Sequence, residues 1–286
     1  MAIVLDNITY TYGMGTPFEK TALHGISLTI ENGEFLGVIG HTGSGKSTFV
    51  QHLNGLLHPT TGKVTVNSVD ISASTEEAKK MRHKVGMVFQ YPEHQLFEET
   101  IAQDIAFGPK NLGLSADEVD ERVRDAMKFV GLDYNTYAER SPFHLSGGQM
   151  RRVAIAGVVA MNPDFLVLDE PSAGLDPFGR EEIFEEIIRL HKEKGITVIL
   201  VSHNMEDISR MASRLVVLDK GRIVLDGEPM DIFNNHRNEL QAVGVDVPPV
   251  SVTMEYLREH GLDVSNRVLS VDDAVQAILE GGSHVK

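Results

Sequence analysis

Gly40-His-Thr-Gly-Ser-Gly-Lys-Ser47 is the stretch that decides the fold of this 286-residue chain. It matches the pattern G-x-x-x-x-G-K-[ST]. A short apolar run from Glu34 to Ile39 precedes it, and a helical pattern follows from Lys46 to Leu57. A strand, a glycine-rich turn and a helix in this order form one mononucleotide-binding unit. The sequence therefore predicts an α/β fold with a phosphate-binding loop.

The loop has the chemistry that a phosphate group requires. Gly43 and Gly45 let the backbone curl so that successive N–H groups point at one anion. The helix that starts near Lys46 adds its positive dipole end, and the ammonium group adds a point charge for the terminal phosphates. The Ser47 hydroxyl is placed to hold Mg²⁺. A nucleotide is therefore expected to contact Gly40, Gly43, Ser44, Gly45, Lys46, Ser47 and Thr48.

Two carboxylates follow the buried apolar run Phe165–Leu168. A carboxylate at the end of a parallel strand emerges at the carboxyl edge of the sheet, where ligands bind in such folds. Asp169 is therefore expected to hold Mg²⁺, directly or through water. Glu170, one residue past the strand, is placed to polarise the water that attacks the nucleotide.

The remaining strand signals describe a mostly parallel sheet with an antiparallel pair at the chain's entrance. Alternation of apolar and polar residues predicts the entrance pair at Ile3–Tyr10 and Leu23–Ile30. Buried strands and a final hairpin are predicted at Lys84–Phe89, Phe165–Leu168, Thr197–Val201, Arg214–Leu218 and Arg222–Leu225. Between the second and third of these, a helix is capped by Asp176, has Pro177 in its first turn and ends at Gly195.

Helical patterns alone fill the stretch from Pro92 to about Val159, which predicts a helical subdomain inserted into the α/β core. After Asn234 the pattern weakens, and two short helices are predicted at Met254–His260 and Val271–Leu279. The sequence thus predicts one domain over residues 1–234, with its insert at about 92–159. Residues 235–286 form a small C-terminal extension and a candidate dimerisation element.

Composition limits the partners of the chain. The 26 basic and 41 acidic residues give a formal net charge of −15, which argues against binding of a nucleic-acid backbone. There is no cysteine, so neither a disulfide framework nor a thiolate metal site is possible. The uncharged run from Val153 to Pro163, like every other in the sequence, is shorter than the roughly 18 residues that a membrane span needs. We expect no membrane-spanning helix and no secretion signal.

Many enzymes share these two motifs, the phosphate loop and the carboxylate pair, so kinases and GTPases remain possible classes for this protein. The pentad Leu145-Ser-Gly-Gly-Gln149 narrows the choice. Ser146 and the two glycines begin a helix, expected to run to Met161, with bare N–H groups that face outward. They form a second anion cradle, away from the first. The pentad resembles the signature sequence of the ATP-binding-cassette family. A small-molecule kinase has no need of a second phosphate cradle, so the pentad disfavours that class.

The resemblance implies that two cassettes pair head to tail. Each ATP is then held between the phosphate loop of one chain and the signature residues of the other, here Leu145, Ser146, Gly147, Gly148 and Gln149. Gln90 matches the family's glutamine that contacts Mg²⁺ and the attacking water, and His203 matches the histidine at the γ-phosphate. The loop that ends at Asp176 matches the one that crosses the dimer interface. Tyr12 matches the aromatic residue under adenine, with Tyr10 as the competing candidate.

Two stretches resemble one branch of the family, the ATPases of energy-coupling-factor transporters. They are Phe89–Glu99 and the helix with Gly157, where many importer cassettes have arginine. Leu168–Arg180 resembles the second of that branch's two paralogous ATPases. The resemblance implies a groove that receives a helix of a transmembrane subunit, with contacts from Glu93, Leu96, Phe97, Glu98 and Glu99.

The interpretation is therefore an ATPase subunit of an energy-coupling-factor importer for a vitamin or other micronutrient. The resemblance implies ATP and Mg²⁺ as cofactors and a peripheral position on the cytoplasmic face of the membrane. It also implies three kinds of partner: a second, paralogous ATPase, a transmembrane coupling subunit and substrate-binding membrane subunits. Two alternatives stay open, namely a homodimeric cassette of another importer and a non-transport cassette ATPase. Neither the long coiled-coil insertion nor the second cassette of non-transport types is present.

Overall fold

Ten strands form two sheets in the computed structural model, which describes residues 1–265 and 267–282. Residues 266 and 283–286 of the predicted extension lie outside the described residues. The strands are β1 (Ala2–Tyr12), β2 (Lys20–Glu31), β3 (Phe35–Ile39), β4 (Thr61–Val66), β5 (Val69–Asp70), β6 (Val85–Val88), β7 (Phe165–Asp169), β8 (Thr197–Val201), β9 (Arg214–Asp219) and β10 (Arg222–Gly227).

The smaller sheet is antiparallel, with the order β2-β1-β4-β5. It confirms the predicted pair at the chain's entrance, since β1 and β2 pair from Ala2↔Glu31 to Tyr12↔Lys20. The sequence analysis missed β4 and β5. In β4 only Val64 and Val66 are buried, so its apolar alternation is too short to stand out from the surrounding turn residues.

The larger sheet has the order β10-β9-β3-β8-β7-β6, and all its pairs are parallel except that of β10 with β9. Every residue of β3, β7 and β8 is buried. Helices cover one face and the antiparallel sheet with the first helix covers the other, so these strands are continuous apolar runs without alternation. The predicted buried strands and the final hairpin are confirmed.

Among the described residues, twelve α-helices accompany the sheets: α1 (Lys46–Leu53), α2 (Glu76–Arg82), α3 (Ile101–Asn111), α4 (Ala116–Phe129), α5 (Tyr134–Tyr137), α6 (Gly147–Val159), α7 (Pro177–Lys194), α8 (Met205–Met211), α9 (Pro229–Asn235), α10 (Arg237–Ala242), α11 (Pro249–Glu259) and α12 (Val271–Gly282). Helices α3 to α6 lie between β6 and β7 in the chain, where helices alone were expected. None of the described helices is both long and apolar enough to span a membrane.

Helix ends test the capping predictions. Helix α7 begins and ends as expected: the Asp176 carboxylate accepts the Gly179 N–H at 2.7 Å, and Gly195 stops the helix with a φ of 64°. Helix α1 is four residues shorter than predicted because Gly55 turns the chain with a φ of 73°. Helix α6 ends at Val159 and not at Met161.

The predicted tail helices are both present, although α11 begins five residues before Met254. Helices α9 and α10 were not predicted. They are short, and α9 buries only Pro229, Ile232 and Phe233, so neither has a long apolar period. Val245 and Val247 of the segment after α10 belong to the large core cluster, so this part of the extension packs on the α/β domain.

The β9–β10 turn holds the phosphate loop in place. The Gly221 N–H donates to Ser44 O at 2.8 Å, and Gly221 O accepts the His24 N–H at 2.8 Å. Gly221 has a φ of 71°, and a Cβ at this position would lie 2.2 Å from Ala22 O. Only glycine fits here, because both the backbone conformation and the contact with β2 exclude a side chain.

We predict that Gly221→Ala lowers the free energy of unfolding by about 2–4 kcal/mol, since it combines left-handed strain with a backbone clash. Gly195→Ala is the matched control: its φ is also positive, but a Cβ there meets no atom within 4 Å. The control should lose only about 1 kcal/mol. Urea unfolding followed by circular dichroism measures both, as the chain has no tryptophan. Equal losses would contradict the proposed contact.

Candidate active site

Four strands end side by side at one edge of the larger sheet. The register pairs Val38 with Val201, Val201 with Asp169, and Leu168 with Val88. The chain segments that leave β3, β6, β7 and β8 therefore meet at this edge, as expected for a ligand site in a parallel sheet. They surround a cavity of about 1020 Å³ whose lining includes Tyr12, Gly40, Gly43, Gly45, Lys46, Ser47, Thr48, Gln90, Glu170 and His203.

The phosphate loop packs closely on the residues behind it. A Cβ at Gly40 would lie 2.3 Å from Leu218 O and 2.6 Å from Ser44 Oγ, so the loop cannot carry a side chain there. The Lys46 ammonium donates to Gly40 O at 2.6 Å and to His41 O at 3.1 Å. Burial lowers the pKa of Lys46, and the carboxylates of Glu170 and Asp169 oppose that shift. The loop thus directs one cation at the cavity.

Ser44 is the predicted nucleotide-binding residue that does not line the cavity. Its side chain is fully buried under the loop, and its N–H donates to His41 O at 3.1 Å. Its hydroxyl has no hydrogen-bond partner among the described residues. The side chain is enclosed by the packing that shapes the loop, so the predicted contact of Ser44 with a nucleotide stays a prediction for its backbone.

Asp169 lies beside Ser47, which lines the cavity, although Asp169 itself is not part of the lining. Asp169 is 7% exposed, and burial raises its pKa, while a hydrogen bond from the Ser47 hydroxyl lowers it. Gln90 lies nearby on the segment after β6. The three side chains present hydroxyl, carboxylate and amide oxygens, the donor types that Mg²⁺ prefers.

The three residues predicted to be catalytic meet in one cluster. Glu170 Oε2 accepts a hydrogen bond from Gln90 Nε2 at 3.2 Å and lies 3.2 Å from His203 Nδ1. Glu170 has a φ of 50°, and its N–H donates to Val201 O at 3.0 Å. A non-glycine residue in this strained backbone region is held there by its surroundings, and such strain concentrates at functional sites. The turn aims the carboxylate over the phosphate loop.

The two tyrosines at the end of β1 occupy different places. Tyr12 is 41% exposed and lines the cavity, and its hydroxyl is 3.1 Å from Thr48 Oγ1. Tyr10 packs edge-on against Tyr12 and His52, with ring centroids 4.7 and 4.9 Å away, and burial raises its pKa. Of the two rings, only that of Tyr12 is available to a ligand in the cavity.

The signature residues border a second cavity of about 770 Å³, which shares no lining residue with the first. Ser146, Gly147, Gly148 and Gln149 line it together with Asp176, whereas Leu145 packs against the core. The expectation of bare N–H groups is partly wrong. Ser146 Oγ accepts the Gln149 N–H at 3.3 Å, and Gln149 Oε1 accepts the Ser146 N–H at 3.1 Å, forming a reciprocal capping box. At Gly147 and Gly148 the surrounding space is open.

Two of the residues predicted to contact a membrane partner are packed or paired within the chain. Leu96 is 8% exposed and belongs to the core. Both carboxylate oxygens of Glu93 accept hydrogen bonds from Arg151, at 3.1 Å each, so its charge is already paired within the chain. Phe97 is 57% exposed and therefore stays a candidate contact. Its ring packs edge-on against that of Phe107, which is 45% exposed. Glu98 is half-buried and Glu99 is exposed.

Several cavity residues come from segments that sequence motifs did not mark. Lys20–Ala22 of β2, Lys220 of the β9–β10 turn and Gly244–Asp246 of the extension all line the first cavity. A Cβ at Gly244 would lie 3.8 Å from the Cβ of His41 in the phosphate loop. No local pattern could have placed the extension at this cavity, because the contact depends on how distant segments fold together.

Comparison with known proteins agrees with this geometry. A family model described as "ABC transporter" matches residues 23–173. The "Energy-coupling factor transporter ATP-binding protein EcfA2" of Clostridium tetani is 53% identical over 280 residues, covering 98% of this chain and 97% of that protein.

Two solved structures share the fold. That of cbiO1 from Clostridium perfringens, "part of the ABC transporter complex cbiONQ", has a TM-score of 0.73 at 36% identity, covering 88% of this chain and 98% of that one. A dimeric, post-hydrolysis ATP-binding cassette bound to ADP and phosphate has a TM-score of 0.70 at 31% identity, covering 79% and 98%. The chain therefore belongs to the ABC transporter family and, within it, to the energy-coupling factor transporter ATP-binding proteins.

Proposed function

We propose that this chain is one of two paired ATPases that drive an energy-coupling-factor importer for a vitamin or other micronutrient. One observation carries the proposal. The chain presents a phosphate loop with its catalytic cluster at one cavity and an open signature loop at a second, separate cavity. Each cavity supplies half of an ATP site, so two chains are needed to complete two sites.

ATP binds in the first cavity through groups that the structure already directs there. The loop N–H groups and the Lys46 ammonium hold the phosphates, and the Tyr12 ring stacks on adenine. Mg²⁺ fits the oxygen donors of Ser47, Gln90 and Asp169, and it would neutralise phosphate charge during hydrolysis. Burial of Asp169 beside Ser47 supports this assignment, since a buried carboxylate requires a cation or donors to stay ionised.

Hydrolysis uses the cluster around Glu170. Glu170 accepts a hydrogen bond from the attacking water, while Gln90 and His203 orient that water and contact the γ-phosphate. The water oxygen bonds to the γ-phosphorus, the bond to the β–γ bridging oxygen breaks, and the water's proton passes toward Glu170. The 3.2 Å contacts of Glu170 with Gln90 and His203 support one shared water position.

The transport step depends on the γ-phosphate, which is bound in the closed pair and absent from the open pair. With ATP in both composite sites, the signature residues of each chain bind the phosphates of the other and the pair closes. After hydrolysis and phosphate release that anion is gone and the pair reopens. A transmembrane subunit converts this motion into movement of the substrate, which is bound by separate membrane subunits.

The membrane partner is proposed to dock at Phe97 and Phe107. This exposed aromatic pair borders a small groove of about 160 Å³ whose lining also includes Gly108 and Gly157. These two glycines let α3 and α6 pack closely on each other, since a Cβ at Gly108 would lie 2.7 Å from the Met161 side chain. The relatives' names support a role in a transporter, and the dimeric cassette among the solved structures supports pairing of two ATPases. Docking at this groove would place the chain on the cytoplasmic face of the membrane.

Glu170→Gln should bind ATP normally but lower its steady-state hydrolysis by on the order of 10²–10³, because the amide cannot accept the proton. The variant should accumulate as a closed pair that retains ATP after rapid desalting. Glu193→Gln, an exposed change on α7, is the matched control and should hydrolyse ATP like the parent. Steady turnover by Glu170→Gln at the parent rate would refute the catalytic assignment.

Lys46→Ala should weaken ATP binding about 10- to 100-fold, the loss expected for charge-assisted hydrogen bonds to phosphate. Lys220→Ala removes a second lysine at the same cavity, but that side chain is 86% exposed and should matter little. Equilibrium titration with a fluorescent ATP analogue measures both. Equal effects of the two substitutions would argue against specific phosphate binding by Lys46.

Replacing both Phe97 and Phe107 by Ala should weaken retention of the membrane subunit about 10- to 30-fold, since exposed aromatics at an interface contribute most of its affinity. ATP binding by the purified chain should not change, because the groove and the nucleotide cavity share no lining residue. Phe18→Ala, an 87% exposed phenylalanine in the β1–β2 loop, is the control. Unchanged retention in the double variant would place the docking surface elsewhere.

A further inference from the structure

Arg151 is a fully enclosed cation in the signature helix, with only 2% of its side chain exposed. A buried guanidinium is costly unless its N–H groups have acceptors. Here Nε and Nη2 donate to the two carboxylate oxygens of Glu93, at 3.1 Å each. Nη1 donates to Pro171 O at 3.0 Å and to Ala173 O at 2.8 Å. Four hydrogen bonds thus fix one side chain between two other segments.

These contacts join three segments that have separate roles in the proposed cycle. Arg151 follows the signature glycines on α6. Glu93 lies three residues after Gln90, on the segment that leads to Phe97. Pro171 and Ala173 lie in the loop that joins Glu170 to Asp176. The Ala173 N–H in turn donates to Glu170 O at 3.1 Å, so two successive hydrogen bonds connect the guanidinium to the backbone of the catalytic glutamate.

Stabilisation of the fold alone does not explain why a guanidinium is buried at this position. Replacing a buried ion pair by well-packed apolar residues is often neutral or stabilising, because burial of the charges offsets much of their attraction. A planar guanidinium does something that an apolar residue cannot: it binds a carboxylate with two parallel bonds and still reaches two carbonyls. Lysine, a single point donor on a flexible stem, cannot reproduce this arrangement.

We propose that Arg151 is a positioning residue that makes the signature helix, the Glu93 segment and the loop after Glu170 move as one unit. The inference rests on the proposed pairing of two ATPases. A displacement of the Glu93 segment by the membrane partner then reaches the signature glycines and the catalytic loop together. Arg151 and its neighbour Arg152 both line the signature cavity, but four N–H groups of Arg151 already donate to groups within the chain. Its effect therefore appears in closure of the pair and not in binding of ATP to the chain's own phosphate loop.

The neighbouring Arg152 offers a matched control. It lies on the same helix, donates to Val130 O at 3.4 Å and pairs with Glu182 of α7. Neither of these contacts reaches the Glu93 segment or the loop after Glu170. Arg152→Lys therefore removes comparable hydrogen bonds from the same helix without cutting the proposed connection.

The test measures ATP retained after rapid desalting of the intact complex, purified through this chain in mild detergent, in a Glu170→Gln background. Arg151→Lys and Glu93→Gln should each lower retained ATP about tenfold, and the double variant should lose little more, since the two residues act through one contact. Binding of a fluorescent ATP analogue to the isolated chain should change less than about twofold. Arg152→Lys should retain ATP like the background.

The outcomes separate the inference from the proposed function. A Glu170→Gln complex that retains no ATP would overturn the proposed pairing and this inference with it. If that complex retains ATP and Arg151→Lys matches it, the inference alone is wrong. Equal losses of retained ATP in the Arg151 and Arg152 variants would show that Arg151 has only a structural role. Should Arg151→Lys fail to fold, Glu93→Gln decides the question, because it keeps the shape of the side chain and removes only its charge.

Discussion

Gly221 N–H and Ser44 O, 2.8 Å apart, form the contact on which the nucleotide site depends. It fastens the phosphate loop to the β9–β10 turn, and the same turn is bound to β2 through His24. The loop is thereby enclosed by the residues that pack on it, and this packing leaves no room for a side chain at Gly40. An anion site made of backbone N–H groups functions only if the backbone cannot relax, so this enclosure is what makes the loop a receptor for phosphate.

The nucleotide site has opposing electrostatic requirements. The chain carries a net charge of −15, yet its cavity must bind a polyanion. Helix α1 directs its positive end there, and Lys20, Lys46 and Lys220 line the same space. Asp169 and Glu170 lie opposite Lys46, and they offset the lowering of the lysine pKa that burial causes. The same two carboxylates that are proposed to serve the metal ion and the water therefore also favour the charged form of Lys46.

Short motifs were predictable because each lies within a few residues of chain, and the parallel register then brings Gln90, Glu170 and His203 together. Contacts between distant segments were not. Glu93 was expected to face a partner, but it pairs with Arg151, 58 residues away. Leu96 resembled an exposed pair with Phe97, but only the fold determines which of the two is buried. The order of strands and the approach of Gly244–Asp246 to His41 depend in the same way on packing between segments that no local pattern connects.

The central claim is that this chain works as one member of an ATPase pair bound to membrane subunits. Affinity purification of the tagged chain from its native membranes in mild detergent, followed by mass spectrometry, tests it most directly. The account predicts a second, similar ATPase, one shared transmembrane subunit and several small, interchangeable membrane proteins. Recovery of the chain with only itself and a dedicated permease would instead indicate a homodimeric importer. Recovery without any membrane protein would contradict the account.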